Sequence, residues 1–363
     1  MRKSSLASAL ILGLAMTAGA AGAQTPPQSP SPSPSTVAIQ VKGVRPSEVL
    51  VPFSRRIDFT SKVNGISYTL FVALPLAPPP KAGYPVVYVL DGADNFGAAT
   101  DAARGDADIV VVGILYPVDD ADFIAKTLNT PRRSSGEVSP PEIEEAIQLS
   151  RTFDLTPPTS EASMEARKAL MKAEKAPGFN DLKAGGVDAF LQVIETEIKP
   201  KIHALLKVDA GNEALYGHSL GGLAVLRALF TEPSAFRTFI AASPSIWWDE
   251  RSILAGEAGF TKKVLAGAVA PRVLITVGGL EQHTPAYIPP GMDVTQAQVD
   301  ALIKKDRMVD NAVELGQRLA ALNGAPGYEV KTVVFPDETH QSVEQAAVSR
   351  GVHFAAKGAG LKP

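Results

Sequence analysis

Gly217-His218-Ser219-Leu220-Gly221, with a further Gly222, sets a hydroxyl nucleophile between glycines in the G-x-S-x-G spacing. Glu213 to Tyr216 before it reads as a short buried strand, and Leu223 to Phe230 after it as a helix. A strand that turns sharply into a helix strains the backbone at the serine. The flanking glycines admit close packing that a Cβ would block. The Ser219 hydroxyl then stands at the positive end of a helix, where a developing oxyanion is stabilised. The chemistry open to such a group is acyl transfer through a serine ester.

A serine hydroxyl needs a base to take its proton, and the base needs a partner to fix its tautomer. Where such elbows occur in doubly wound sheets, the chain order is serine, acid, histidine. The five histidines stand at 203, 218, 283, 340 and 353. His203 falls in the helix before the elbow, His218 inside it, and His353 inside a closing helix. His283 lies too near the expected acid. His340, in a loop just past the last strand, is therefore the expected base. The acid should follow the preceding strand, and Glu281 ends Val273 to Glu281 just past Gly278-Gly279. Asp337 and Glu338, beside the histidine, are the alternatives. Two backbone N–H donors must face the oxyanion. Leu220, directly after the nucleophile, supplies one, and Ala93, in the tight turn Leu90-Asp91-Gly92-Ala93, is the expected second.

The elements that must position these groups follow from hydrophobic periodicity. Ile66 to Leu74 alternates like a half-buried antiparallel strand, whereas Tyr84 to Leu90 and Asp108 to Leu115 are continuous apolar runs, as parallel strands covered on both faces require. Further strands are expected at Phe236–Ala242, Arg272–Val277 and Tyr328–Phe335. Helical spacing marks Val187 to Ile202, a long amphipathic helix about Thr295 to Leu322, and a closing helix from near Ser342. Alternating strands and helices predict an α/β fold with a doubly wound, mostly parallel sheet. A proline- and charge-rich insertion, about 116–186, interrupts the rhythm and reads as a cap with one helix at Ser160 to Lys175.

Residues 1–23 have a basic start, a short apolar run and the small-residue site Ala21-Gly22-Ala23, the pattern of a cleavable secretory signal peptide. Residues 24–38 form a Pro/Ser-rich linker, and 39–363 the catalytic domain. Periplasmic or secreted location is the expectation. The chain has no cysteine, which excludes disulfides, thiolate nucleophiles and thiolate metal sites. A formal charge of −3, two units more negative once Arg2 and Lys3 leave, argues against bulk nucleic-acid or anionic-membrane binding. No other stretch is apolar enough to span a membrane. The chemistry needs no metal or organic cofactor, and no histidine–carboxylate spacing suggests one.

Several segments together resemble the esterase D-like family of α/β-hydrolases: Val86–Gly92, Arg151–Pro157, Gly185–Leu191, Gly217–Gly222, Ser243–Trp248, Val277–Glu281 and His340–Val343. The likeness runs from about Arg55 to Phe354 and is nearest to periplasmic siderophore esterases acting on enterobactin-type trilactones. It implies an α/β-hydrolase fold, Ser219 as nucleophile, His340 as base and an acid at or near Glu281. It also admits a serine–histidine pair without a well-placed acid. An exported acetyl, feruloyl or general carboxylesterase is the alternative within enzymes, and a non-catalytic binding protein of the same fold the alternative outside them. Trp247 and Trp248 follow a strand end on the catalytic side, so at least one is expected to line the substrate pocket. Arg151 is expected either to pair with Asp154 or to contact an anionic substrate, within a basic set that includes Arg132, Arg133, Arg167, Lys168 and Lys172.

Overall fold

Valine, isoleucine and tyrosine in unbroken runs dictate strands buried on both faces, and they form the middle of the molecule. The computed structural model describes residues 51–131, 138–173, 182–286, 288 and 294–358. The expected signal peptide and linker lie outside them, as do Arg132 and Arg133 of the insertion. In chain order the elements begin β1 (Ser54–Thr60), β2 (Ser67–Ala73), β3 (Tyr84–Val89), α1 (Gly92–Asp106) and β4 (Val110–Leu115). The insertion carries α2 (Ala121–Thr127), α3 (Pro140–Leu155) and α4 (Glu161–Ala173). Helix α5 (Val187–Val193) runs through a π segment (Ile194–Ile198) into α6 (Lys199–Leu205). Then come β5 (Val208–His218), α7 (Leu220–Thr231), β6 (Thr238–Ala242), a 3₁₀ segment (Trp248–Gly256), α8 (Glu257–Leu265) and β7 (Arg272–Gly278). Helices α9 (Gln296–Asp306) and α10 (Met308–Ala320), strand β8 (Glu329–Phe335) and α11 (Val343–Gly358) complete the chain.

The strands form one sheet in the order β1-β2-β4-β3-β5-β6-β7-β8. Strand β2 pairs antiparallel with β1 and β4, and every later pairing is parallel. Alternation along β3 divides the core. Val86 and Tyr88 face the cluster containing α5, α7 and α10, while Val87 and Val89 face that of α1 and α11. Each such side chain, removed from water, contributes about 1.5–3 kcal/mol. The chain order reverses on either side of β3 and β5, the place where open α/β sheets leave a crevice at their strand ends.

Two expectations change. Among the described residues the insertion holds three helices rather than one. Pro140-Pro141, outside the one helix expected of the insertion, opens α3, because proline suits the first helical turn and Ser139 with Glu142 completes a capping box. The single helix over Thr295–Leu322 is two. Arg307 breaks it with φ 48° and ψ 45°, and the Asn311 side chain donates through Nδ2 at 2.8 Å to the carbonyl of Asp306. No glycine or proline marks that break.

Candidate active site

The elbow is built by sterics. Ser219 joins β5 directly to α7 at φ 60° and ψ −117°, a conformation that non-glycine residues adopt only where the surroundings impose it. Its amide donates to the Ala242 carbonyl (3.0 Å), and its carbonyl accepts from Leu223 (3.0 Å) and Ser245 (3.1 Å). A Cβ on Gly217 would collide with the backbone of Gly221. One on Gly222 would lie 2.7 Å from the Ala242 oxygen and 2.9 Å from Pro244 Cα. The tight crossing of strand and helix therefore depends on those glycines.

Loops at the C-terminal ends of β7 and β8 bring the other two groups to the serine. His340 Nε2 lies 3.0 Å from Ser219 Oγ, and His340 Nδ1 lies 2.6 Å from Glu281 Oε2. The glutamate side chain is fully buried, and the histidine is 13% exposed. The other carboxylate oxygen, Oε1, accepts from Ser243 Oγ and from the Gly278 amide, each at 2.6 Å. Every oxygen of the acid is thus committed, and its orientation is set. Asp337 is exposed, and Glu338 accepts instead from the Ser342 hydroxyl. His203 faces Glu213 (2.9 Å), and His353 lies against the Ser349 carbonyl, both away from the serine.

Ala93 and Leu220 stand in the first turns of α1 and α7, at the ends of the neighbouring strands β3 and β5. Such amides have no acceptor within their own helix and carry the positive end of its dipole. The first turns touch, since a Cβ on Gly221 would sit 3.3 Å from Asp91 Oδ2. Sequence reasoning missed the groups that surround this point. His218 packs against His340 with ring centroids 4.6 Å apart and the planes tilted by 38°, and burial, with the charges of His340 and Arg151, holds its pKa well below the usual range. Ser245 places its hydroxyl 3.4 Å from that of Ser219. Burial raises the carboxyls of Asp94 and Glu344. The segment Ser243–Trp248 carried the only sequence signal for Ser243 and Ser245, as serines directly after a strand end.

The expected substrate contacts stand elsewhere than the sequence suggested. Arg151 pairs with Asp91 rather than Asp154, through two parallel bonds of 2.8 and 2.9 Å. Asp154 takes the hydroxyls of Tyr68 (2.8 Å) and Tyr116 (3.1 Å) instead, and burial pushes its pKa up to about 7. Trp247 and Trp248 are both buried, at 5% and 1% exposure. The Arg167 guanidinium from α4 lies 4.0 Å from the Trp248 ring centroid and 4.9 Å from that of Trp247. Trp248 Nε1 donates to Thr159 Oγ1 at 2.8 Å. Docking of the insertion covers them: a guanidinium over both rings and a satisfied Trp248 N–H favour their burial, while the buried Trp247 Nε1 has no hydrogen-bond partner among the described residues.

The chain is similar to several known proteins. The family model described as Putative esterase matches residues 158–313. The ferri-bacillibactin esterase BesA of Bacillus subtilis is 32% identical over 305 residues, 82% of this chain and 87% of its own. The siderophore triacetylfusarinine C esterase of Aspergillus fumigatus is 33% identical over 326 residues, 85% of this chain and 95% of its own. Among solved structures, the siderophore hydrolase EstA from Aspergillus nidulans matches with a TM-score of 0.62 at 28% identity, covering 84% of this chain and 94% of that one.

Proposed function

The chain belongs to the Putative esterase family of α/β-hydrolase type, and from that premise we propose that it is a serine esterase hydrolysing the ester bonds of a siderophore. The observation that carries the mechanism is the continuous line from Ser219 Oγ through His340 to Glu281. Ser219 Oγ attacks the ester carbonyl as His340 Nε2 takes its proton. The Leu220 and Ala93 amides hold the oxyanion, and Glu281 stabilises the imidazolium through Nδ1–H. The C–O bond to the alcohol then breaks, His340 returns the proton to that oxygen, and an acyl-enzyme remains. Water, deprotonated by the same imidazole, attacks the acyl carbon; the acyl C–O bond to Ser219 breaks, His340 returns the proton to Ser219 Oγ, and the acid is released.

An enterobactin-type trilactone is the finer reading. It repeats one ester three times in a ring, so a single site serves each cut, and the first opens the ring without losing a fragment. The relatives' action on ferri-bacillibactin and triacetylfusarinine C esters supports a siderophore as substrate. The test uses the purified protein and its Ser219→Ala variant. Hydrolysis of p-nitrophenyl butyrate is expected to fall about 10⁶-fold with the circular dichroism spectrum kept. Retained turnover removes the nucleophile assignment. Brisk deacylation of acetyl or feruloyl sugars beside negligible cleavage of enterobactin overturns the siderophore reading.

A further inference from the structure

Arg151 comes from the insertion, yet its guanidinium ends between the two loops that carry the oxyanion amides. Nε and Nη2 donate to Asp91 Oδ1 and Oδ2 at 2.8 and 2.9 Å, and Nη2 also donates to the His218 carbonyl at 3.2 Å. Asp91 is the residue before Gly92-Ala93, held at φ 52° and ψ 48°, and His218 is the residue before Ser219-Leu220. The Leu90 amide donates to the Tyr216 carbonyl at 2.9 Å, where the pairing of the two strands ends. Beyond it the two chains turn into separate helices, and the guanidinium spans the gap. The pair is nearly buried, with side chains 14% and 9% exposed. A bidentate arginine–carboxylate bond in that setting is both strong and directional. It also offsets the negative charge that Asp91 would otherwise present beside the site of the developing oxyanion.

We propose that Arg151 is a positioning residue that sets the spacing of the Ala93 and Leu220 amides by clamping Asp91 to the His218 carbonyl. This rests on the reading of Ser219 as nucleophile. The insertion is then a structural part of the oxyanion hole and not only a cover. Arg151 contributes to the transition state, where the two amides must converge, and little to ground-state binding.

The neutral substrate p-nitrophenyl acetate separates this from recognition of an anionic substrate. For Arg151→Ala, kcat is expected to fall about 10²-fold, the cost of a misplacement of about 1 Å, with KM within threefold of wild type. Guanidinium added to the buffer should restore part of kcat, a readout that simple loss of stability does not produce. Arg151→Lys keeps the charge but loses the fork, and is expected to fold with kcat at least tenfold down. Wild-type kcat in Arg151→Lys overturns the proposal, as does a defect confined to the KM of an anionic catecholate ester. Should Arg151→Ala not fold, Arg151→Lys alone decides. Ser219→Ala runs in parallel: an inactive Ser219→Ala beside fully active Arg151 variants refutes only the clamp, whereas an active Ser219→Ala refutes the reading beneath it.

Discussion

Replacing Glu281 by glutamine changes one atom and, by the geometry here, reverses a proton. Oε1 accepts from the Gly278 amide, whose N–H cannot turn round, while Oε2 accepts from His340 Nδ1. A glutamine must therefore set its carbonyl oxygen toward Gly278 and its NH₂ toward the imidazole. Nδ1 then becomes an acceptor, the ring proton moves to Nε2, and the atom 3.0 Å from Ser219 Oγ can no longer take a proton. The opposite amide orientation would press two N–H donors together in a fully buried site, at about 1–3 kcal/mol, or one to two decades in the productive tautomer. Loss of the carboxylate's stabilisation of the imidazolium adds to this. The same change in a serine-protease triad costs about 10⁴-fold in kcat, or about 5.5 kcal/mol. For Glu281→Gln we expect kcat on p-nitrophenyl butyrate to fall about 10³- to 10⁴-fold, with KM little changed and the thermal midpoint close to wild type. A folded variant that keeps kcat within tenfold of wild type refutes the argument, and the site then works as a serine–histidine pair.

Two more outcomes follow from packing and titration. Gly222→Ala should press α7 away from the Ala242 carbonyl that holds the Ser219 amide, costing about 1–3 kcal/mol of stability and about 10²-fold in kcat; wild-type values for both in denaturation and rate assays would show that the crossing can relax. Asp154, moved by burial from the ordinary 3.8 to about 7, binds a proton in the fold that the unfolded chain gives up between those values. Its contribution to stability is therefore present below about pH 4 and lost as pH rises toward 7. The loss is at most about 4 kcal/mol. Urea denaturation across this window should show the decline in wild type and a flatter profile in Asp154→Asn; identical slopes would mean that another group carries it.

Much of the frame was legible in the amino-acid order, and for a local reason. Apolar runs name buried strands, 3.6-residue spacing names helices, and a serine between glycines at a strand–helix junction admits one backbone path. Chain order then pointed to His340 and Glu281, which the structure brings to Ser219 from the ends of β8 and β7. Even so, the helix that Pro140-Pro141 begins went unmarked in a proline-rich insertion, and local chemistry gave no sign of the turn at Arg307.

Which distant side chains meet depends on how the elements dock. Arg151 finds Asp91, 60 residues away, instead of Asp154, three residues along its own helix. Successive residues of a helix fan out by 100°, and only the docking of α3 across the ends of β3 and β5 chooses among their partners. Trp247 and Trp248 are hidden for the same reason: the surface they would have offered is covered by Arg167, from a helix whose resting place no short-range pattern encodes. Backbone conformation is written in neighbouring residues, whereas charge pairing and burial depend on packing between elements far apart in the chain.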